Sequence, residues 1–353
     1  MGEDVLGGET MNVLKTAATA VAFAATVASG ATATERWKVP VSFPTGLPGI
    51  GEPLKDWAAT INAADADIQV KLFEPGEIVP PFAVLDAVRD NKVPAGMAVI
   101  GYSAGSIPAT ALLFGAPFGL GPREYAGWYY QGGGEALTQA LLNKNGVHGF
   151  LCGMIGAEMG GWFREPLNSI EDFKGLRFRT AGLGADVLTR LGMSVTTLPL
   201  GETFPALERG AIDAAEGSLP SVDVILGLHK VAKHGYFPGW HQPVGTGHLV
   251  INQGVWDGLS DAQKEAVETS CEAITMKNLT ISDSIQAASM AKAKADGAEF
   301  HVFSDEMIEA FRKATAEVMA EQSAKDADFK EIYESMEAHK KLVSGYLDMS
   351  SAD

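Results

Sequence analysis

Between residues 37 and 252, short apolar runs rich in Val, Ile and Phe alternate with segments whose apolar residues recur every three or four positions. The runs have the length and composition of strands, and the segments have the period of amphipathic helices. A chain alternating the two buries both kinds of face by laying helices on a mostly parallel sheet. Strands are expected at 37–43, 68–73, 95–100, 149–154, 176–179, 194–198, 211–215 and 247–252, with helices at 54–61, 82–89, 184–191 and 203–208. From Ser260 the strands stop, and Ala-, Glu- and Lys-rich helices are expected at 261–295, 305–323 and 329–347. There Phe311, Val318, Met319, Ile332, Tyr333 and Met336 recur at helical spacing, a stripe that must pack on the body or on a second subunit. The class is α/β, and 353 residues suffice for about two core-bearing lobes.

The amino end reads as an export signal. From Met11, one Lys precedes an apolar Ala/Val/Phe run that ends in small residues at Ala31-Thr32-Ala33. That order of charge, apolar stretch and A-x-A site is a secretory signal peptide, too weakly apolar for a spanning helix. The mature chain is expected to start near Thr34, with residues 1–10 a mis-started extension and 1–33 outside the folded protein. An uncleaved anchor is the alternative.

Acidic residues outnumber basic ones, 44 to 27, for a net charge of −17, which repels phosphate backbones and anionic lipid and argues against nucleic acid as a partner. Hydrophobic residues at 46% and charged residues at 20% exclude a disordered chain. The two cysteines, Cys152 and Cys271, are too few for a disulfide scaffold or a Cys-rich zinc site. Whether they pair stays open, since pairing needs their Cα atoms within about 7 Å.

Gly101-Tyr102-Ser103-Ala104-Gly105 matches G-x-S-x-G after an apolar strand, which raises a serine hydrolase using Ser103. Against it, Pro108 interrupts the helix that should follow, and no oxyanion loop lies upstream. Gly182-Leu183-Gly184 lacks the rest of a dinucleotide or phosphate loop. The seven histidines show no H-x-x-x-H or H-E-x-x-H spacing, which argues against a His-based transition-metal site. Arg177 and Arg179 alternate with Leu176 and Phe178, so the two Arg side chains share a face and one of them can line a crevice. An Arg there offers a planar fork matched to a carboxylate; the alternative is a surface ion pair. Glu216 ends the apolar run from Ala211, and a carboxylate there needs a partner or a cation.

Five segments together resemble the periplasmic substrate-binding receptors of tripartite ATP-independent periplasmic (TRAP) transporters, particularly the branch that binds 2-oxo acids and related carboxylates. They are Phe82-x-x-Leu85-Asp86-Ala87-Val88-Arg89-Asp90, Gly160-Gly161-Trp162-Phe163-Arg164, Asp172-Phe173-Lys174-Gly175-Leu176-Arg177-Phe178-Arg179, Ala206-Leu207-Glu208-Arg209-Gly210-Ala211-Ile212-Asp213-Ala214-Ala215-Glu216, and Val231-Ala232-Lys233 leading to Tyr236-Phe237-Pro238-Gly239-Trp240. The resemblance spans nearly the whole mature chain. It implies a two-lobe periplasmic-binding-protein-like fold with mixed, mostly parallel sheets, crossing hinge strands and long C-terminal helices. Residues 36–149 and 217–255 are expected in lobe 1, residues 150–216 and 256–350 in lobe 2, with hinges near Gly149, Glu216 and Ile251.

The resemblance also implies a non-enzymatic receptor that closes over a small organic acid in the interlobe cleft and delivers it to the TRAP membrane permease. A homodimer through the C-terminal helices is a further implication. Arg179 matches the carboxylate anchor, and Glu158, Glu216 and the Gly217 carbonyl match the ligands of a bridging cation. Tyr102 matches a ligand-facing tyrosine, and His241 and Gln242 match positions near the ligand's far end. Two positions depart from the pattern: 158 is Glu where the relatives resemble Gln, and 217 is Gly where they resemble Trp. The second carboxylate favours Ca²⁺ over Na⁺ by charge count, or else accepts a ligand ammonium or hydroxyl without metal. The missing Trp side chain leads to the expectation of a larger, wetter cleft and a ligand bigger than pyruvate. A sensor that uses the same cleft is the third class.

Overall fold

The structure, a computed structural model, describes residues 34–350 except Asp65; the proposed export signal lies outside them. Among the described residues eleven strands are formed: β1 (Glu35–Pro40), β2 (Ile68–Phe73), β3 (Ala95–Ala98), β4 (Val147–Ile155), β5 (Gly161–Phe163), β6 (Arg177–Arg179), β7 (Ser194–Thr196), β8 (Ala214–Ala215), β9 (His234–Phe237), β10 (Gly245–Asn252) and β11 (Glu299–Val302). They make two bodies of sheet. In the first, β10 lies antiparallel between β3 and β4, and the parallel pair β1–β2 joins through a bridge from Val41 to Met97. The second runs in the order β11-β9-β5-β8-β6-β7, with β5 antiparallel to both neighbours.

The two-sheet α/β architecture is the one expected, but sheet membership departs from the expected lobe boundaries. Residues 150–155 belong to β4 of the first sheet and β9 belongs to the second. The chain passes between sheets over 155–161 and 237–245 and once more, through helices, from β10 to β11. Gly149 and Ile251, expected as hinges, are instead paired inside the first sheet, to Val250 and His148.

The expected helix over 261–295 breaks at Ile285 into Asp261–Ser284 and Gln286–Ala295. The first piece packs on β4 and on the helix Glu52–Ala63, where Trp57 Nε1 donates to Ser270 Oγ at 3.0 Å. The second packs on Pro220–Leu226, where Gln286 Oε1 accepts from Ser221 N at 2.9 Å. The terminal stripe packs on the body: Phe311, Val318, Met319, Ile332 and Met336 are buried in the chain's own core and Tyr333 is partly buried against it, so most of the stripe is not left for a second subunit. Among the described residues, no helix is long and apolar enough to cross a membrane.

Cys152 of β4 and Cys271 of Asp261–Ser284 form a disulfide that closes a sequence separation of 119 residues. Reduction should lower the unfolding midpoint by an amount equivalent to about 2–5 kcal/mol, read as denaturant unfolding with and without reductant. An unchanged midpoint would show that the crosslink does not constrain the unfolded chain.

His248 on β10 is fully buried with neither ring nitrogen hydrogen-bonded, and burial pushes its pKa from 6.5 down to about 3. The unfolded chain therefore binds the extra proton. This contribution to stability is complete above pH 6.5 and is lost as the pH falls toward 3. Between those limits the loss approaches about 1.4 kcal/mol per pH unit. In His248→Leu the acid limb of a stability-versus-pH curve should flatten; an unchanged slope would refute the assignment.

Candidate functional site

The charged residues of the site sit where strands end and where the chain crosses between sheets. Phe178 is buried in the core. Arg177 points to solvent in an ion pair with Asp213, with Nε 2.9 Å from Oδ2. Arg179, one repeat further on, is 2% exposed. So one Arg of the pair is the surface ion pair and the other reaches the crevice. Parallel pairing of Arg179 with Ala215 sets Glu216 beside it, and Glu216 N donates to Arg179 O at 2.8 Å.

The Arg179 guanidinium is fixed from behind. Its Nε and Nη2 donate to Leu198 O at 3.1 and 2.9 Å, and Nη1 donates to Glu216 O at 2.6 Å. Glu216 Oε2 stands 3.4 Å from Nη1 and accepts from Thr180 Oγ1 at 3.0 Å. A planar fork held this way has lost its rotamer freedom before any ligand arrives. Tyr102, in the turn Ile100–Ser103, faces the same guanidinium.

A second carboxylate comes from the crossing after β4. Glu158 is 5% exposed and accepts from Ser218 Oγ at 2.6 Å. The crossing after β9 adds His241, whose Nε2 lies 3.8 Å from Glu158 Oε2 and 3.8 Å from Glu216 Oε1. The two crossings run so close that a Cβ at Gly239 would fall 2.0 Å from Glu158 O. Burial, reinforced by Glu216, holds the Glu158 carboxyl well above the usual carboxylate range. Burial also works to raise Glu216, but His241 and Arg179 outweigh it and hold that carboxyl below its ordinary value.

Tyr102, Glu158, Arg179, Glu216, Gly217 and Gln242 all line one cavity. His241 joins the carboxylate cluster of Glu158 and Glu216. The cavity holds about 80 Å³, and its other walls include Phe43, Met97, Phe114 and Leu200. That is several times the about 10–15 Å³ that a single water requires, room for a small acid.

The expected enlargement at position 217 is not found. A Cβ there would meet Asp223 Oδ1 at 2.2 Å and Leu228 Cδ1 at 2.8 Å, so the direction a side chain would take is filled by the protein itself. Asp223 is fully buried, accepts from Ser218 N at 2.9 Å and from Trp162 Nε1 at 2.8 Å, and burial together with Glu216 pushes its pKa up to about 8. Sequence reasoning missed Asp223, Thr180 and Ser218. A lone acid inside the apolar stretch Pro220–Leu226 was the available signal.

Ser103 stands in the short turn that carries Tyr102. Among the described residues no histidine or carboxylate hydrogen-bonds its hydroxyl, so the G-x-S-x-G match is not a nucleophile elbow.

Whether a cation suits these residues is decided by Glu216 Oε1 and His241 Nε2, both buried with no hydrogen-bond partner. Their neighbours are carboxylate oxygens, the donor type that hard cations take. The residues fit. A small interior ringed by opposed charges and approached from two sheets defines a solute receptor, shaped to surround a small acid.

Comparison with known proteins agrees. The sequence profile of the bacterial extracellular solute-binding protein family 7 matches residues 49–326. The monocarboxylate 2-oxoacid-binding periplasmic protein of Nostoc sp. is 36% identical over 343 residues, covering 94% of this chain and 93% of that protein. A TRAP transporter solute-binding protein from Bordetella bronchiseptica superposes with a TM-score of 0.88 at 31% identity, over 90% of this chain and 95% of that one. It is a mixed-occupancy dimer with copurified calcium and picolinate in one site. A TRAP solute-binding protein from Pseudoalteromonas atlantica with bound sodium and pyruvate gives 0.85 at 27% identity, over 90% and 97%. The chain belongs to the family 7 extracellular solute-binding proteins, the receptors of TRAP transporters, and is not an enzyme.

Proposed function

We propose that this receptor binds a small 2-oxo monocarboxylate in the cavity between the two sheets. The observation that carries the reading is Arg179, buried and braced from behind, facing the cavity beside two buried carboxylates. The ligand's carboxylate docks on its fork with charge-assisted hydrogen bonds. Tyr102 and Gln242 complete the polar lining around it.

A cation would be held by Glu158, Glu216 and the Gly217 carbonyl. Arg179 supplies one positive charge against three negative ones: two glutamates and the ligand. The two that remain unbalanced favour Ca²⁺ over Na⁺. When bound, the ion supplies charge balance and a fixed orientation for the ligand's oxygens. Where no cation is present, the raised Glu158 carboxyl lets a proton take its place.

The export signal at 11–33 directs the chain to the periplasm, where the loaded receptor hands its acid to the TRAP permease subunits. A homodimer would use Leu342, Tyr346 and Met349, which stay exposed at the end of the last helix. A thermal-shift screen of small carboxylates with added Ca²⁺ tests the reading: 2-oxo acids should raise the transition by mass action. A panel without any shift would contradict it.

A further inference from the structure

The absence of local metal-binding spacing among the histidines hides a cluster that only the fold assembles. His234 begins β9, and Glu299 and His301 lie on β11, the edge strand beside it. In the parallel register His234 pairs with Glu299, and His301 follows two residues on, so all three side chains share one face. His234 Nδ1 is 3.0 Å from His301 Nε2, and Glu299 Oε2 is 3.8 Å from the first and 3.7 Å from the second. The three side chains are 16%, 29% and 68% exposed, so the imidazoles are partly sheltered and the carboxylate is open to solvent.

We propose that His234, Glu299 and His301 form a second metal site, separate from the cleft, for a borderline divalent transition-metal ion, Zn²⁺ foremost. Two imidazoles and a carboxylate are a donor set that suits zinc, and a fourth position remains for water. The geometry is close to what coordination requires. With Zn–N near 2.0–2.1 Å, two nitrogens of a tetrahedron stand about 3.3 Å apart, and a carboxylate oxygen stands at about the same distance from each. Moving from 3.0, 3.7 and 3.8 Å to those values needs shifts of only a few tenths of an ångström. Backbone pairing of β9 with β11 fixes the three Cα positions, and the His301 ring is stacked on Tyr236 with centroids 4.9 Å apart, so little is left to order on binding. Without metal, one ring's N–H donates to the bare nitrogen of the other; on binding, that proton moves to the donating ring's second nitrogen, so both facing nitrogens offer lone pairs and both rings stay neutral. The chain's excess of acidic groups adds a field that draws cations to the surface.

The test is a Zn²⁺ titration of tag-free mature protein, stripped of metal and then saturated with Ca²⁺, against a chromophoric chelator. Co²⁺ serves as a spectroscopic stand-in whose visible bands report tetrahedral coordination. The wild type should bind one equivalent. His301→Gln and the exposed-site variant Glu299→Gln should each weaken it at least tenfold, while Glu216→Gln leaves it unchanged and carboxylate binding by His301→Gln stays at the wild-type value. Absence of a zinc equivalent in the wild type would overturn the proposal. So would equal affinity in the wild type, Glu299→Gln and His301→Gln, or a loss that follows Glu216→Gln instead.

Discussion

Arg179→Ala is expected to remove measurable binding of small carboxylates, a loss of roughly thirtyfold to several thousandfold if truncating one member of a buried charge pair costs about 2–5 kcal/mol. The variant should also unfold more easily without ligand, by about 3–5 kcal/mol, because Arg179 is the buried counter-charge beside Glu216 and the donor to Leu198 O and Glu216 O. Arg179→Lys separates the two effects. It keeps the charge next to Glu216 but loses the fork and its paired donors to Leu198 O, so it should unfold less easily than Arg179→Ala while carboxylate binding still falls at least tenfold. Calorimetric titration of both variants checks this. Normal binding by Arg179→Lys would mean the ligand does not dock on a planar fork.

The second large effect is expected at Glu216. Glu216→Gln keeps the shape and the hydrogen bond from Thr180 but removes one of the two carboxylates proposed to hold a cation. Binding of a 2-oxo acid should then fall at least tenfold and lose its response to added Ca²⁺, and the wild type in EDTA should resemble the variant. Measuring affinity at several Ca²⁺ concentrations in both proteins decides it. If Glu216→Gln still responds to Ca²⁺ like the wild type, the ion is held elsewhere.

Much of this site was legible before the fold. Arg179 and Glu216 stood out because each is a charge ending an apolar run, a pattern that a core cannot tolerate without a partner. Tyr102, Glu158, Gly217, His241 and Gln242 came only from family resemblance, and their convergence depends on two crossings that no local pattern encodes. The strands β5, β9 and β11 escaped notice: β5 and β9 carry Gly161 and Gly235, residues that weaken a strand signal, and β11 lies among helices. The inference drawn from the missing side chain at 217 failed for a definite reason. A side chain's direction belongs to the backbone, and at Gly217 it points at Asp223. The cluster at His234 and His301 was invisible for the same kind of reason, since 67 residues separate the two imidazoles that one strand pair brings together.

In the function proposed for this receptor, a small 2-oxo acid and a divalent cation bind together against Arg179, Glu158 and Glu216. Titrating pyruvate, as the simplest such acid, into the metal-stripped mature protein by calorimetry, and again after loading with Ca²⁺, measures the coupling directly. The account predicts saturable one-to-one binding that tightens at least tenfold with Ca²⁺, a coupling of about 1.4 kcal/mol or more. Binding of equal strength with and without the ion, or no heat in either titration, would contradict it.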